Sequence, residues 1–170
     1  YEATLKEYEE QERELERQLA ALAQEKSFEN LRFTERFIWP VQGRLTSKFG
    51  WRWIRFPGYR RRVKQFHKGI DISAPTGTPI VAAASGYVLQ AGWLDLLGNA
   101  VVIVHGWKEG KQYVTFYGHC DEILVNTGDF VQKGDQIATV GCTGRCLGPH
   151  LHFTLHINGN PVDPLPYLPK

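Results

Sequence analysis

The stretch Gly148-Pro149-His150-Leu151-His152-Phe153 sets two histidines one residue apart. With Thr154-Leu155 after it, the stretch has the character of a β-strand. Side chains alternate along a strand, so His150 and His152 share one face while Leu151 and Phe153 take the other. Two imidazoles on one face suit metal binding or proton transfer. A lone pair of this kind also occurs on plain surfaces and in cores, so further ligands elsewhere decide its meaning.

His67 and Asp71 offer an imidazole and a carboxylate, both good zinc ligands. Their four-residue spacing would suit a helix face. Gly69, the β-branched Ile70 and Ile72, and the Pro75-Thr76-Gly77-Thr78-Pro79 sequel argue instead for a loop running into a strand. In extended chain the two keep the same parity, so they can still converge. His119 lies just past the apolar run Tyr113–Tyr117, where a strand end can meet a groove. His105 closes Ala100–Val104 with no carboxylate or histidine beside it, and is read as structural or solvent-facing. His156 shares the parity of His152 but lies about 13 Å further along the strand. That is too far to share one metal.

The elements that must position these groups are mostly short strands. Ile80–Ala84 and Tyr87–Ala91 flank Ser85-Gly86; Ala100–Val104 follows Gly98-Asn99; Tyr113–Tyr117 follows Glu109-Gly110-Lys111. Phe130-Val131 sits between two Gly-Asp turns, and Gln136–Val140 comes next. Regularly spaced strands with polar turns predict a mainly β fold, an antiparallel β-sandwich or barrel-like core.

The N-terminal segment differs. Tyr1, Leu5, Tyr8, Leu15, Leu19 and Leu22 fall on alternating four- and three-residue steps, with Glu12 the one misfit. Glu2–Lys6 and Glu9–Arg13 add i,i+4 pairs. This predicts a helix, either packed on its own domain or, given the narrow stripe, part of a coiled coil. The expected organisation is a helical coiled-coil segment at 1–30, a linker at 31–39 and a β domain at 40–170.

Charge is split along the chain. Residues 1–30 carry nine Glu against four Lys and Arg, so a chain with net charge +2 holds +7 in the remainder. Seven basic residues between Trp51 and Lys68, with no acid among them, match that excess. Aromatics (Trp51, Trp53, Phe56, Tyr59, Phe66) interleave with them. Such a surface suits an anionic polymer or a solvated loop and names no partner. Three cysteines make neither a disulfide framework nor a Cys-type zinc site. No run of about 18 apolar residues predicts a membrane-spanning helix. The chain begins at Tyr1, so the lack of a signal peptide carries no information about compartment.

Taken together, His67-x-x-x-Asp71, Tyr117-Gly118-His119 and Gly148-Pro149-His150-Leu151-His152-Phe153 occur in the order seen in the M23 family of zinc metallopeptidases, the LytM/lysostaphin-type peptidoglycan hydrolases. The resemblance runs from about Pro40 to Pro169 and includes Gly69-Ile70-Asp71-Ile72 and Gly159-Asn160-Pro161-Val162-Asp163-Pro164. It implies that His67, Asp71 and His152 hold the zinc, while His119 and His150 sit in the site without binding it. Two departures stand out: the basic 51–66 loop is long, and Cys142 and Cys146 replace small polar residues. An oxidising compartment would permit a short disulfide between those two, the alternative being two free thiols.

What the resemblance implies agrees with the chemistry. Two imidazoles and one carboxylate leave a tetrahedral zinc an open position for water, as in catalytic sites. No Glu stands in a His-Glu-x-x-His helix, so His119 and His150 are the candidates for general base and for oxyanion or leaving-group stabilisation, in either assignment. The implied function is zinc-dependent endopeptidase cleavage of peptide cross-links in bacterial peptidoglycan, outside the cytoplasm, in the periplasm or at the cell surface. A membrane-anchored or division-machinery partner is expected through the coiled coil, and no nucleic acid. The alternative is a peptidoglycan-binding or hydrolase-activating domain with little activity of its own. A biotinyl or lipoyl carrier hairpin at Val125–Ile137 is disfavoured, because no Lys stands at its tip in the required setting.

Overall fold

Five consecutive apolar residues, Ala100–Val104, are each fully buried. Strand side chains point alternately to two faces, so both faces of this strand must be covered. In the computed structural model one face meets the main core and the other meets a helix. Residues 2–24, 28–55, 60–144 and 146–170 are described, with side chains from residue 6 onward. Tyr1, Phe56, Tyr59 and Arg145, and the side chains of Glu2 and Leu5, lie outside that set.

Among the described residues, helix α1 (Glu2–Ala23) precedes twelve strands: β1 (Arg44–Ser47), β2 (Gly50–Ile54), β3 (Val63–His67), β4 (Ile70–Ser73), β5 (Pro79–Val81), β6 (Gly86–Trp93), β7 (Asn99–Lys108), β8 (Lys111–Ile123), β9 (Phe130–Val131), β10 (Gln136–Val140), β11 (His150–Ile157) and β12 (Asn160–Val162). Ten form one antiparallel sheet with the backbone order β1-β4-β11-β8-β7-β6-β9; β10 pairs with β5 and β8, and β12 with β11. β2 and β3 make a separate two-stranded ribbon. The fold is thus mainly antiparallel β with one N-terminal helix, as the turn and strand pattern predicts.

The main core takes Ile70 and Ile72 from β4, Ile103 from β7, Tyr117 from β8, and Leu151, Phe153 and Leu155 from β11. The opposite face collects Val102, Val104, Val114 and Phe116, covered by Leu19 and Ala23 of α1. The Gln112 amide donates to the Ala23 carbonyl at 2.6 Å and accepts from Gln24 at 2.9 Å, pinning the helix end. From Leu15 to Leu22 the apolar stripe of α1 therefore faces this chain's own sheet, the in-domain packing. Its misfit Glu12, with Glu16, pairs with Lys68 at 3.0 and 2.8 Å.

Three boundaries differ from expectation. Residues 31–39, expected as a linker, form a packed strap: Phe33 and Phe37 are buried, and Leu31 and Phe33 exchange backbone hydrogen bonds with Trp107. The strand expected over Ile80–Ala84 stops at Val81, although Ala82–Ala84 remain fully buried. His119 stands inside β8 rather than past a strand end, at a backbone irregularity with φ +64°.

Candidate active site

Three paired strands supply the floor of one groove. Asp71 on β4 sits opposite His152 on β11, and His152 in turn opposite Gly118 on β8. By parity His150, His152, Thr154 and His156 share the groove face of β11, while Leu151, Phe153 and Leu155 enter the core. His67 ends β3, and the Lys68-Gly69 turn carries the chain straight into β4. Gly69 makes that turn fit: a Cβ there would lie 2.5 Å from the Phe153 carbonyl oxygen and 2.7 Å from Thr154 Oγ1. The groove encloses about 810 Å³, and α1 forms one wall through Tyr8, Glu12, Leu15 and Glu16.

Within it His67, Asp71 and His152 bring three donor atoms together. His152 Nδ1 is 2.9 Å from Asp71 Oδ1, His67 Nε2 is 3.3 Å from the same oxygen, and the two nitrogens are 3.3 Å apart. Donors at 2.0–2.1 Å from a tetrahedral zinc stand about 3.3–3.4 Å from one another. The cluster fits that ion with adjustments of a few tenths of an ångström.

The far atom of each donor group is also tied. His67 Nδ1 donates to the Lys48 carbonyl at 3.0 Å, with Ser47 Oγ at 3.2 Å, leaving Nε2 as the lone pair. His152 Nε2 lies 3.1 Å from Thr154 Oγ1, which turns Nδ1 inward. Arg52 donates to Asp71 Oδ2 at 3.0 Å and is itself held by Gln65 and Ser47. Such partners orient ligands and raise metal affinity. Burial alone would raise the Asp71 carboxyl, but the imidazoles of His152 and His67 beside it outweigh that and hold it well below the usual carboxylate range. Burial lowers the His152 imidazole despite the pull of Asp71. A carboxylate and uncharged imidazoles are the forms a metal requires.

His119 and His150 flank this cluster, with ring centroids 4.9 Å apart and His119 6.0 Å from His152. His150 Nε2 is 3.6 Å from Asp71 Oδ1. Burial, reinforced by nearby His152, pushes His119 down to about 3, so it is neutral at pH 7. All five residues singled out from the sequence thus meet in one groove. His156 lines the groove at a distance, stacked on Phe116 with centroids 4.4 Å apart. His105 is structural, buried between the Ser85 carbonyl at 2.9 Å and Thr115 Oγ1 at 2.7 Å.

Sequence reasoning missed Arg52, Thr154 and the loop carbonyls. Thr154 was within reach, since it follows His152 by two residues on the same face. Arg52 was not, because its role depends on the β2–β3 ribbon lying beside β4.

Residues 65–164 match the pattern of Peptidase family M23. The chain belongs to that family. Among relatives of this M23 chain, a protein of Escherichia coli K12 named uncharacterized lipoprotein YgeR is 45% identical over 134 residues, 78% of this chain and 47% of that one. Peptidoglycan DD-endopeptidase ShyC of Vibrio cholerae is 43% identical over 98 residues, 58% of this chain and 22% of its own. A solved structure of a zinc-containing peptidase from Vibrio cholerae superposes with TM-score 0.62 at 36% identity, over 76% of this chain and 39% of that one. The M23 chain spans less than half the length of either curated relative.

Proposed function

We propose that this chain is a zinc-dependent endopeptidase that hydrolyses peptide cross-links of bacterial peptidoglycan. The observation that carries this reading is the donor cluster, with His67 Nε2, Asp71 Oδ1 and His152 Nδ1 held 2.9–3.3 Å apart and each backed by its own hydrogen bond. His67, Asp71 and His152 hold the ion. A bound zinc supplies Lewis acidity there, polarising a peptide carbonyl and bringing the pKa of water toward neutrality.

The remaining work falls to His119 and His150. Each donates its Nδ1–H to a loop carbonyl, at 2.7 Å to Thr143 and 2.8 Å to Gly148, so each has Nε2 left for the reaction. One takes the proton of the attacking water and the other steadies the developing oxyanion or hands a proton to the departing amine. Groups of this kind contribute about 10²- to 10⁴-fold each.

The relative named a peptidoglycan DD-endopeptidase supports the substrate class, and the relative named a lipoprotein supports a place in the cell envelope. The Cys142–Cys146 disulfide fits an oxidising compartment outside the cytoplasm, periplasm or cell surface. A membrane-anchored or division-machinery partner would engage the outward face of α1, because its other face is taken by the sheet. Digestion of purified cell wall, with products identified by mass spectrometry, tests the reading. Cleaved cross-links that vanish with a chelator and return with zinc are expected; intact cross-links after treatment with zinc-loaded protein contradict it.

A further inference from the structure

The loop from β10 to β11 touches both histidines that face the donor cluster. It leaves at Gly141 and returns at His150, whose N–H donates to the Gly141 carbonyl at 3.2 Å. A disulfide joins Cys142 and Cys146 within it. The Thr143 carbonyl, inside that ring, accepts from His119 Nδ1 at 2.7 Å. The Gly148 carbonyl, two residues beyond it, accepts from His150 Nδ1 at 2.8 Å. Cys146 Sγ reaches back to both, 3.6 Å from His150 Nδ1 and 2.8 Å from the Gly148 oxygen.

Thr143 is anchored from the opposite side as well. Its hydroxyl accepts from the Asn99 N–H at 3.0 Å and donates to the Cys120 carbonyl at 2.7 Å. The two backbones run so close that a Cβ on Gly98 would lie 2.4 Å from the Thr143 carbonyl carbon. His119 itself has φ +64°, a conformation that side chains other than glycine's adopt only when their surroundings impose it. Its hydrogen bond to Thr143 is part of that constraint.

We propose that the Cys142–Cys146 disulfide is a positioning device for His119 and His150, locking the two carbonyls that keep both rings in the Nδ1–H tautomer. The proposal rests on the zinc-peptidase reading for its consequence in rate. Which nitrogen of an imidazole carries the proton is set by the partner of the other nitrogen. Segment 142–149 contains Gly144, Gly148 and Pro149 and, among its described residues, no regular structure, so the bridge removes conformations that would carry the acceptors away. Misplacing a reacting group by about 1 Å costs about 100-fold in rate. His67 donates to the Lys48 carbonyl, Asp71 accepts from Arg52 and His152 pairs with Thr154, all outside this loop, so metal binding is independent of the bridge.

The test compares wild type with the double variant Cys142→Ser/Cys146→Ser by nitrogen-15 NMR of the histidine rings, zinc content, and kcat and KM on a defined cross-linked muropeptide. Loss of the bridge is expected to move His119 and His150 from a single tautomer to a mixture and to lower kcat by about 10- to 100-fold. KM and zinc content stay unchanged. Should the variant fail to fold, folded wild type is reduced with a phosphine and its thiols capped; the disulfide takes two electrons and two protons as the phosphine becomes its oxide. The tautomer measurement needs no turnover. Wild type with ordered tautomers but no activity on muropeptides therefore refutes the substrate reading and leaves the bridge's role standing on the variant's tautomers. Unchanged tautomers, an unchanged kcat, or zinc lost in step with rate overturns the proposal.

Discussion

Asp71 and Arg52 tie the donor cluster to β2 of the basic ribbon: Arg52 Nη1 sits 3.0 Å from Asp71 Oδ2 while Asp71 Oδ1 faces His67 and His152. A charge otherwise read as part of a cationic surface thereby fixes which carboxylate oxygen is presented to a metal.

Arg52→Ala is expected to lower zinc affinity by about 10- to 100-fold, the usual effect of losing a partner behind a ligand. Competition against a fluorescent chelator measures it. Arg52→Lys keeps the charge but not the fork that spans Asp71, Gln65 and Ser47, so it should recover only part of the loss. Unchanged affinity in Arg52→Ala would mean the contact does not support the site.

The helix offers a second test. Leu19 is buried against Val102, Val104 and Phe116, so Leu19→Ala should destabilise the domain by about 2–3 kcal/mol. Denaturant unfolding measures it. A change below about 0.5 kcal/mol, as for ordinary surface positions, would mean that α1 is a peripheral tail.

Acid should loosen the fold through His105. Burial lowers its pKa from the usual 6.5 to about 4, so below pH 6.5 the unfolded chain binds a proton that the folded chain refuses. Stability is therefore fully present above pH 6.5 and lost as pH falls toward 4. At pH 5 this amounts to about 2 kcal/mol. Melting curves from pH 7 to 4.5 should show a shallower acid slope for His105→Gln than for wild type. Identical slopes would exclude His105 as a source of acid sensitivity.

Much of the site was legible because strand parity is a strict rule. His150, His152 and Thr154 had to share a face once 148–155 was a strand, and Leu151 and Phe153 had to enter the core. The helix was legible as a helix, but its partner was not, since the same stripe serves a coiled coil or a sheet. The clue lay elsewhere: Ala100–Val104 is apolar at every position, so its second face needed a cover. Residues 31–39 looked like a linker for want of periodicity, yet Phe33 and Phe37 are core residues whose burial depends on β7 and β8. The ribbon contact of Arg52 and the loop carbonyls behind His119 and His150 depend on how separate segments meet, which no local pattern encodes.

The proposed roles divide neighbours on one strand, with His152 holding the metal and His150 moving protons. Zinc content and muropeptide turnover measured side by side for His150→Ala, His119→Ala and His152→Ala test them most directly. His152→Ala is expected to lose both zinc and activity, while His150→Ala and His119→Ala keep zinc and lose about 10²- to 10⁴-fold in rate. A metal-free His150→Ala beside a zinc-loaded His152→Ala would contradict them.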